Sequence, residues 1–242
     1  MAKVVRAIQI GFDEREVIEG LHVDRMRGRE GVVSDAIGMA RSLIDPKGAY
    51  AIESVKDIRG GEVQLDDGHV FDSIILSDIL QRGQRVAPYV VTIGPKLEEA
   101  ASQLAKDDVF RSWALEKVGD YAVGKAAIAV RSIVEDELGG KVSGFGPGTG
   151  TGRLFAIEQQ KVLFGILDPE KNIGVKLTPN WLMVPRKSAS GVFAVTASEY
   201  VACQYCPKEC GSRRKPFQGE YLWNEVEIVP RSGAECPPEH VR

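Results

Sequence analysis

The strongest constraint on the fold is a long apolar stripe at helical spacing between Val109 and Glu137. Its members recur every three or four residues, as they do on one face of a helix. They are Trp113, Ala114, Val118, Tyr121, Ala122, Ala126, Val130 and Ile133. The stripe predicts a core helix. A shorter helix is predicted over 96–106, with Pro95 well placed at its first turn.

Strands are predicted in the first third of the chain, where side chains alternate between turn residues. The alternating segments are 50–55 and 62–65. Arg59-Gly60-Gly61 and Asp66-Asp67-Gly68 are typical of hairpin turns. This part of the chain therefore predicts antiparallel pairing of neighbouring strands.

Two prolines mark further elements. Residues 86–93 predict a strand in which Pro88 suits an edge position or a bulge, because proline has no backbone N–H to donate. A helical pattern that starts at Ser34 or Asp35, either of which is a suitable N-cap, stops before Pro46.

The composition excludes several classes of protein. With 242 residues, 43% hydrophobic and 27% charged, the chain can form one large soluble domain or two small ones. Its formal charge of −3 argues against a nucleic-acid partner. No run reaches the roughly 18 apolar residues of a membrane span, and the apolar start is too short for a secretion signal. We therefore expect a cytoplasmic protein that does not enter the membrane.

Glycine occupies every second position from Gly144 to Gly152. This spacing matches neither the dinucleotide-binding fingerprint nor the P-loop, which needs a following Gly-Lys-Ser/Thr. It allows the backbone to lie against a bulky ligand, and free N–H groups in such a loop can bind carboxylate or carbonyl oxygens. A flexible connection without a ligand is the alternative, and composition alone does not separate the two. Pro147 favours a defined geometry because its φ is fixed.

Four segments then follow one another in an informative order. They are Pro147-Gly148, Gln159-Gln160-Lys161-x-Leu163-Phe164-x-x-Leu167-Asp168, Ile173-Gly174-Val175-Lys176-Leu177-Thr178 and Met183-x-Pro185-x-x-Ser188-x-Ser190-Gly191. In order and spacing they resemble the activation domain of cobalamin-dependent methionine synthase. The resemblance extends more faintly backward and covers most of the chain to about Val195. It implies an α+β fold with a mixed or antiparallel sheet flanked by helices.

The resemblance also implies a function. In that family the domain binds S-adenosylmethionine and presents its methyl group to a cobalamin held by another domain. By position, the residues that would contact S-adenosylmethionine are Gly146, Pro147, Gly148 and Thr149. Asp120 would lie near the ammonium group of the ligand, and Tyr200 matches a late aromatic residue. Ser188 and Ser190 either face a corrinoid or only begin a strand.

Two positions depart from the family pattern. The family has an arginine shortly before the Pro-Gly pair, where this chain has Ser143-Gly144, and an aromatic residue after it, where this chain has Thr149. Arg153 and Arg186 are candidates to replace the missing arginine as a carboxylate anchor.

The chain ends in a cysteine cluster that the methionine synthases lack. Cys203, Cys206 and Cys210 are spaced Cys-x2-Cys-x3-Cys, and Cys236 lies downstream. Closely spaced thiolates can converge on one metal, which a cytoplasmic chain favours over disulfides. We predict that the four cysteines bind zinc or an iron–sulfur cluster, between which the spacing does not decide. Free or redox-active thiols and a disulfide are the alternatives.

These patterns divide the chain into an activation-domain-like region, residues 1–198, and a cysteine-rich extension, residues 199–242. The leading hypothesis is a stand-alone protein that binds S-adenosylmethionine and supports reductive methylation of a cobalamin on a partner methyltransferase, with electrons from a donor. The cofactors carry this chemistry, so it requires no general acid, base or nucleophile. One alternative is a non-catalytic protein that binds corrinoid or S-adenosylmethionine or assists assembly. The other is a metal-dependent electron carrier that has lost methyl-donor binding.

Overall fold

The computed structural model describes residues 1–20, 30–149, 154–196, 200–205 and 215–217. Within these residues, eight strands form one sheet and two more form a separate hairpin. The strands are β1 (Lys3–Val5), β2 (Lys47–Tyr50), β3 (Glu53–Arg59), β4 (Glu62–Leu65), β5 (Val70–Asp72), β6 (Arg85–Thr92), β7 (Val142–Phe145), β8 (Lys176–Leu177), β9 (Met183–Val184) and β10 (Ser188–Val195). The helices are α1 (Glu14–Gly20), α2 (Glu30–Leu43), α3 (Ile74–Ile79), α4 (Lys96–Leu104), α5 (Val109–Leu138), α6 (Gln160–Leu167) and α7 (Pro169–Ile173). The pairings between these strands are antiparallel, which confirms the α+β prediction.

Strand β6 is the centre of the main sheet. Strand β10 pairs along one side of it, while β2 and β3 share the other side. Pro88 of β6 therefore does not lie at an edge, which was one of its two predicted positions. Pairing on the shared side passes from Tyr50↔Tyr89 to Glu53↔Val86, so Pro88 lies opposite the break between β2 and β3. A missing N–H is tolerated there because the ladder is already interrupted.

Helices cover both faces of this sheet. On one face, α2, α4 and α5 bury a cluster that includes Val91, Val118 and Phe193. On the other face, α3 and α6 bury a second cluster that includes Phe145 and Leu163. No helix in the described part of the chain is long and apolar enough to cross a membrane.

The predicted core helix is confirmed as α5, which spans 30 residues. It begins after Asp108, whose side chain accepts the N–H of Arg111 at 3.0 Å as an N-cap. It ends at Gly139, whose φ of 76° is the left-handed conformation typical of a helix C-terminus. The buried face of α5 carries most of the predicted stripe.

Local turn chemistry was predicted correctly, whereas two boundaries were not. Gly60 and Gly61 connect β3 to β4 with positive φ, and Gly68 does so between β4 and β5. The segment 50–55, predicted as a single strand, belongs to two strands, because β2 ends at Tyr50 and β3 begins at Glu53. Helix α2 starts at Glu30, so Ser34 and Asp35 lie inside it and cap nothing.

Candidate functional site

Strand β10 begins within the last of the four family-like segments, and its side chains alternate between the two faces of the sheet. Val192 packs into the cluster beneath α6, so Ser188 and Ser190, which share its parity, lie on that face. Phe193 lies on the α5 face, where its ring stacks on Tyr89 with centroids 3.9 Å apart.

The turn Gly146–Thr149 follows β7, the neighbour of β10. The N–H of Gly148 donates to the backbone oxygen of Phe155 at 2.7 Å, and Thr149 Oγ1 donates to the backbone oxygen of Gly146 at 2.6 Å. Gly148 has a φ of +88°, which favours glycine. These bonds give the turn a defined geometry, as predicted from Pro147. The rest of the glycine run, residues 150–153, lies outside the described residues.

Gly191 lets the backbones of β7 and β10 approach each other closely. A Cβ built on Gly191 would lie 2.3 Å from the backbone oxygen of Phe145. A Cβ built on Gly146 would lie 3.6 Å from the backbone oxygen of Ser190. The turn therefore begins beside Ser190 of the neighbouring strand, and the two form the centre of the candidate site.

A buried glutamine extends the site toward the β8–β9 hairpin. Gln160 of α6 is 4% exposed. Its Oε1 accepts the Ser190 hydroxyl at 3.2 Å, and its Nε2 donates to the backbone oxygen of Trp181 at 3.2 Å. A single amide thus connects the strand beside the turn to the hairpin loop.

The Ser188 hydroxyl is used within the scaffold. It lies 2.7 Å from the backbone oxygen of Pro185 and 3.0 Å from Thr92 Oγ1. Thr92 Oγ1 in turn accepts the N–H of Gly94 at 3.1 Å. Ser188 therefore ties the start of β10 to the end of β6.

Asp120 lies on α5, on the opposite face of the sheet from Ser188 and Ser190. Its Oδ1 accepts Lys187 Nζ at 2.7 Å, and Glu116 pairs with the same ammonium at 2.6 Å. Burial alone lowers the pKa of Lys187, but the hydrogen bonds to Asp120 and Glu116 raise it more, so the pKa lies above its ordinary value. The carboxylate that the sequence assigned to a ligand ammonium is held by the chain's own lysine.

Lys187 reaches these carboxylates across a notch in α5. The lysine is 8% exposed. A Cβ built on Gly119 would lie 3.2 Å from its Cε and 3.3 Å from its Cδ, so the absence of a side chain at Gly119 makes room for the lysine stem.

Tyr200 lies beside β7, and Cys203 follows it in the chain. The Tyr200 ring packs against Phe145 with centroids 4.5 Å apart, and its N–H donates to Ser143 Oγ at 3.0 Å. Ser143, one of the two residues that stand where the family has an arginine, therefore holds the segment that leads into the extension. Cys203 is half-buried in the short 3-10 helix Ala202–Tyr205.

The predicted metal ligands are only partly covered by the structure. Cys206, Cys210 and Cys236 lie outside the described residues. Among the residues that are described, no group of three or more His, Cys, Asp or Glu side chains is placed to hold a metal ion. The four-cysteine site stays a prediction.

The structure thus brings together the Gly146–Thr149 turn and Ser190, and it adds Gln160 and Trp181. Gln160 stands in the motif but was given no role. Its spacing to Leu163 and Leu167, three and seven residues on, was the signal that it faces the core. Lys187 carried no comparable signal, because its partners are 67 and 71 positions away in the sequence.

Comparison with known proteins decides the family. The model of the "Vitamin B12 dependent methionine synthase, activation domain" family matches residues 64–211. This chain belongs to that family. No curated protein matches the chain. The match begins at β4 and ends in the cysteine cluster, so it includes the turn, β10 and Tyr200.

A solved structure shares the fold of this activation-domain family member. It is the crystal structure of the MetH reactivation domain bound to AdoHcy, with a TM-score of 0.59 and 15% sequence identity. The alignment covers 83% of this chain and 80% of that chain. At 15% identity the likeness establishes the fold alone.

Proposed function

We propose that this protein binds S-adenosylmethionine at the Gly146–Thr149 turn and donates its methyl group to a cobalamin carried by a partner protein, restoring the methylated corrinoid. The observation that carries the proposal is the family match, which spans the turn and β10. The fold it shares with a reactivation domain that binds AdoHcy, the demethylated form of the methyl donor, supports the same ligand class.

The geometry of the turn suits the amino-acid end of such a ligand. Gly146, Pro147 and Thr149 are half-buried and Gly148 is exposed. Backbone N–H groups in a glycine turn can bind a carboxylate. Pro147 has no N–H and that of Gly148 is donated to Phe155, so Gly146 and Thr149 are the candidates for this role. Ser190 and Gln160 supply fixed polar groups beside it.

The reaction assigns no acid–base step to the chain. One electron from a donor reduces cob(II)alamin, the cobalt then attacks the methyl carbon, and the sulfur of S-adenosylmethionine keeps the electron pair of the broken bond. The products are methylcobalamin and S-adenosylhomocysteine. The protein's part is to bind and orient the methyl donor and to exclude water.

The proposal is tested with the full chain, S-adenosylmethionine carrying a labelled methyl group, a chemical one-electron reductant and the isolated cobalamin-binding module of a methionine synthase in its cob(II)alamin form. We expect labelled methylcobalamin to accumulate only when all four components are present. A reaction that needs no added chain, or label that never reaches the corrinoid, would contradict the proposal. The corrinoid spectrum and the label report the two halves of the reaction independently.

An iron–sulfur cluster on the four cysteines would be the electron-transfer element of this proposal, whereas zinc has no redox chemistry and would give the extension a structural role only. Cys203 follows Tyr200 by three residues, and Tyr200 packs on Phe145 immediately before the turn. A redox centre in the extension would therefore be attached close to the methyl-donor site. The chain could then relay the electron as well as supply the methyl group.

A further inference from the structure

Trp181 has an unusual backbone conformation for its residue type. It lies in the loop between β8 and β9 with a φ of +61°, in the left-handed region. Glycine, asparagine and aspartate enter this region readily, whereas a bulky residue there is strained. Strained residues of this kind cluster at ligand-binding and active sites.

The loop holds Trp181 in this conformation through Thr178. The N–H of Trp181 donates to the backbone oxygen of Thr178 at 2.9 Å, and the N–H of Leu182 donates to Thr178 Oγ1 at 3.0 Å. The N–H of Thr178 donates back to the oxygen of Leu182 at 2.8 Å. The conformation is therefore fixed by three hydrogen bonds within five residues.

Core packing does not explain the choice of tryptophan. Its side chain is only half-buried, and it joins none of the three buried clusters in the described part of the chain. A half-exposed indole on a fixed, strained backbone is a surface available for stacking, since tryptophan has a large aromatic face and few side-chain rotamers to lose.

The position of the loop connects it to the candidate site. Gln160 binds the Trp181 carbonyl and the Ser190 hydroxyl at the same time, and Ser190 lies on the strand beside Gly146. The turn and the start of β10 carry no aromatic side chain, and the ring of Tyr200 beside them already packs on Phe145. A purine bound there would find a further aromatic partner in Trp181 of the hairpin loop.

We propose that Trp181 is a ligand-binding residue whose indole stacks on the adenine ring of S-adenosylmethionine. The amino-acid end of the ligand lies at the Gly146–Thr149 turn, and the purine end lies against the β8–β9 loop. This inference rests on the proposed function, and it adds the residue that distinguishes a purine-bearing ligand from methionine alone.

The test compares the wild-type chain with Trp181→Gly, Trp181→Asn and Trp181→Phe by calorimetric titration with S-adenosylmethionine, alongside thermal unfolding. Glycine and asparagine accept the positive φ, so both variants should unfold at or above the wild-type temperature. Stacking of a base on an aromatic ring is worth enough that we expect affinity to fall about tenfold in both, and less than threefold in Trp181→Phe.

Two results would overturn the inference, and only the second would also overturn the proposed function. If the wild type binds S-adenosylmethionine and the affinities of Trp181→Gly and Trp181→Asn are within twofold of the wild-type affinity, the indole does not contact the purine. The proposed function would still stand. A wild-type chain that does not bind S-adenosylmethionine would overturn both. Titration with methionine serves as the control, because a ligand without a purine should not distinguish the variants.

Discussion

Replacing Gly191 with alanine is expected to lower the free energy of unfolding by about 3 kcal/mol or more, at or above the upper end for overpacking. The added Cβ would lie 2.3 Å from the oxygen and 3.1 Å from the carbon of the Phe145 carbonyl. These are backbone atoms of a paired strand, so no side-chain rotation can relieve the clash. For a chain of this length the midpoint of thermal unfolding should fall by about 6 °C or more.

A matched glycine provides the control for this variant. Gly124 is an exposed residue in the middle of α5, and a Cβ built on it would have no atom within 4 Å. Gly124→Ala should therefore stabilise the protein by about 0.5–1 kcal/mol through helix propensity. If Gly191→Ala unfolds within about 2 °C of the wild type, β7 and β10 do not approach as closely as described, and the contact between the turn and β10 is wrong.

Lys187→Met is expected to have the second largest effect, a loss of about 1–3 kcal/mol. Removing one partner of a fully buried ion pair costs about 3–5 kcal/mol because the remaining charge is unpaired. The loss is smaller here because Asp120 is half exposed and because Arg186 still contacts Glu116 at 2.8 Å. Methionine keeps most of the lysine stem in the Gly119 notch, so the variant removes charge more than volume. Denaturant unfolding at neutral pH measures the change.

Lys117→Met is the control, since it removes the other cation next to the same carboxylate. The Lys117 side chain is 44% exposed, against 10% for Lys187, and lies 3.3 Å from Asp120 one helical turn away. A solvent-accessible pair of this kind contributes within about 0.5 kcal/mol. Equal losses of unfolding free energy in Lys117→Met and Lys187→Met would show that the burial of Lys187 does not increase its contribution to stability.

The sequence predicts those features of the fold that depend on residues close together in the chain. Gly60-Gly61 and Asp67-Gly68 specify their hairpins because positive φ is a local requirement. The spacing of the stripe was enough to predict α5. The break opposite Pro88 could not be predicted, because it depends on which strands lie on either side of β6.

In the candidate site too, some features could be predicted from the sequence and others depend on long-range contacts. The motif contains both the turn and Ser190, and the structure places them on neighbouring strands, while their role in ligand binding stays a prediction. The pairing of Asp120 with Lys187 is a long-range contact between a helix and a loop that no spacing reveals. The left-handed conformation of Trp181 is also set by its loop, and tryptophan gives no signal for it.

The most direct measurement is a calorimetric titration of the full chain with S-adenosylmethionine, repeated on Gly148→Ala and Gly139→Ala. Both glycines have positive φ, +88° in the turn and +76° at the end of α5, so alanine costs similar backbone strain at each. We predict saturable one-to-one binding to the wild type and little change in affinity in Gly139→Ala. In Gly148→Ala we predict about tenfold weaker binding, which corresponds to a loss of about 1.4 kcal/mol of binding free energy. No binding to the wild type, or equal affinities in the two variants, would contradict a methyl-donor site at the turn.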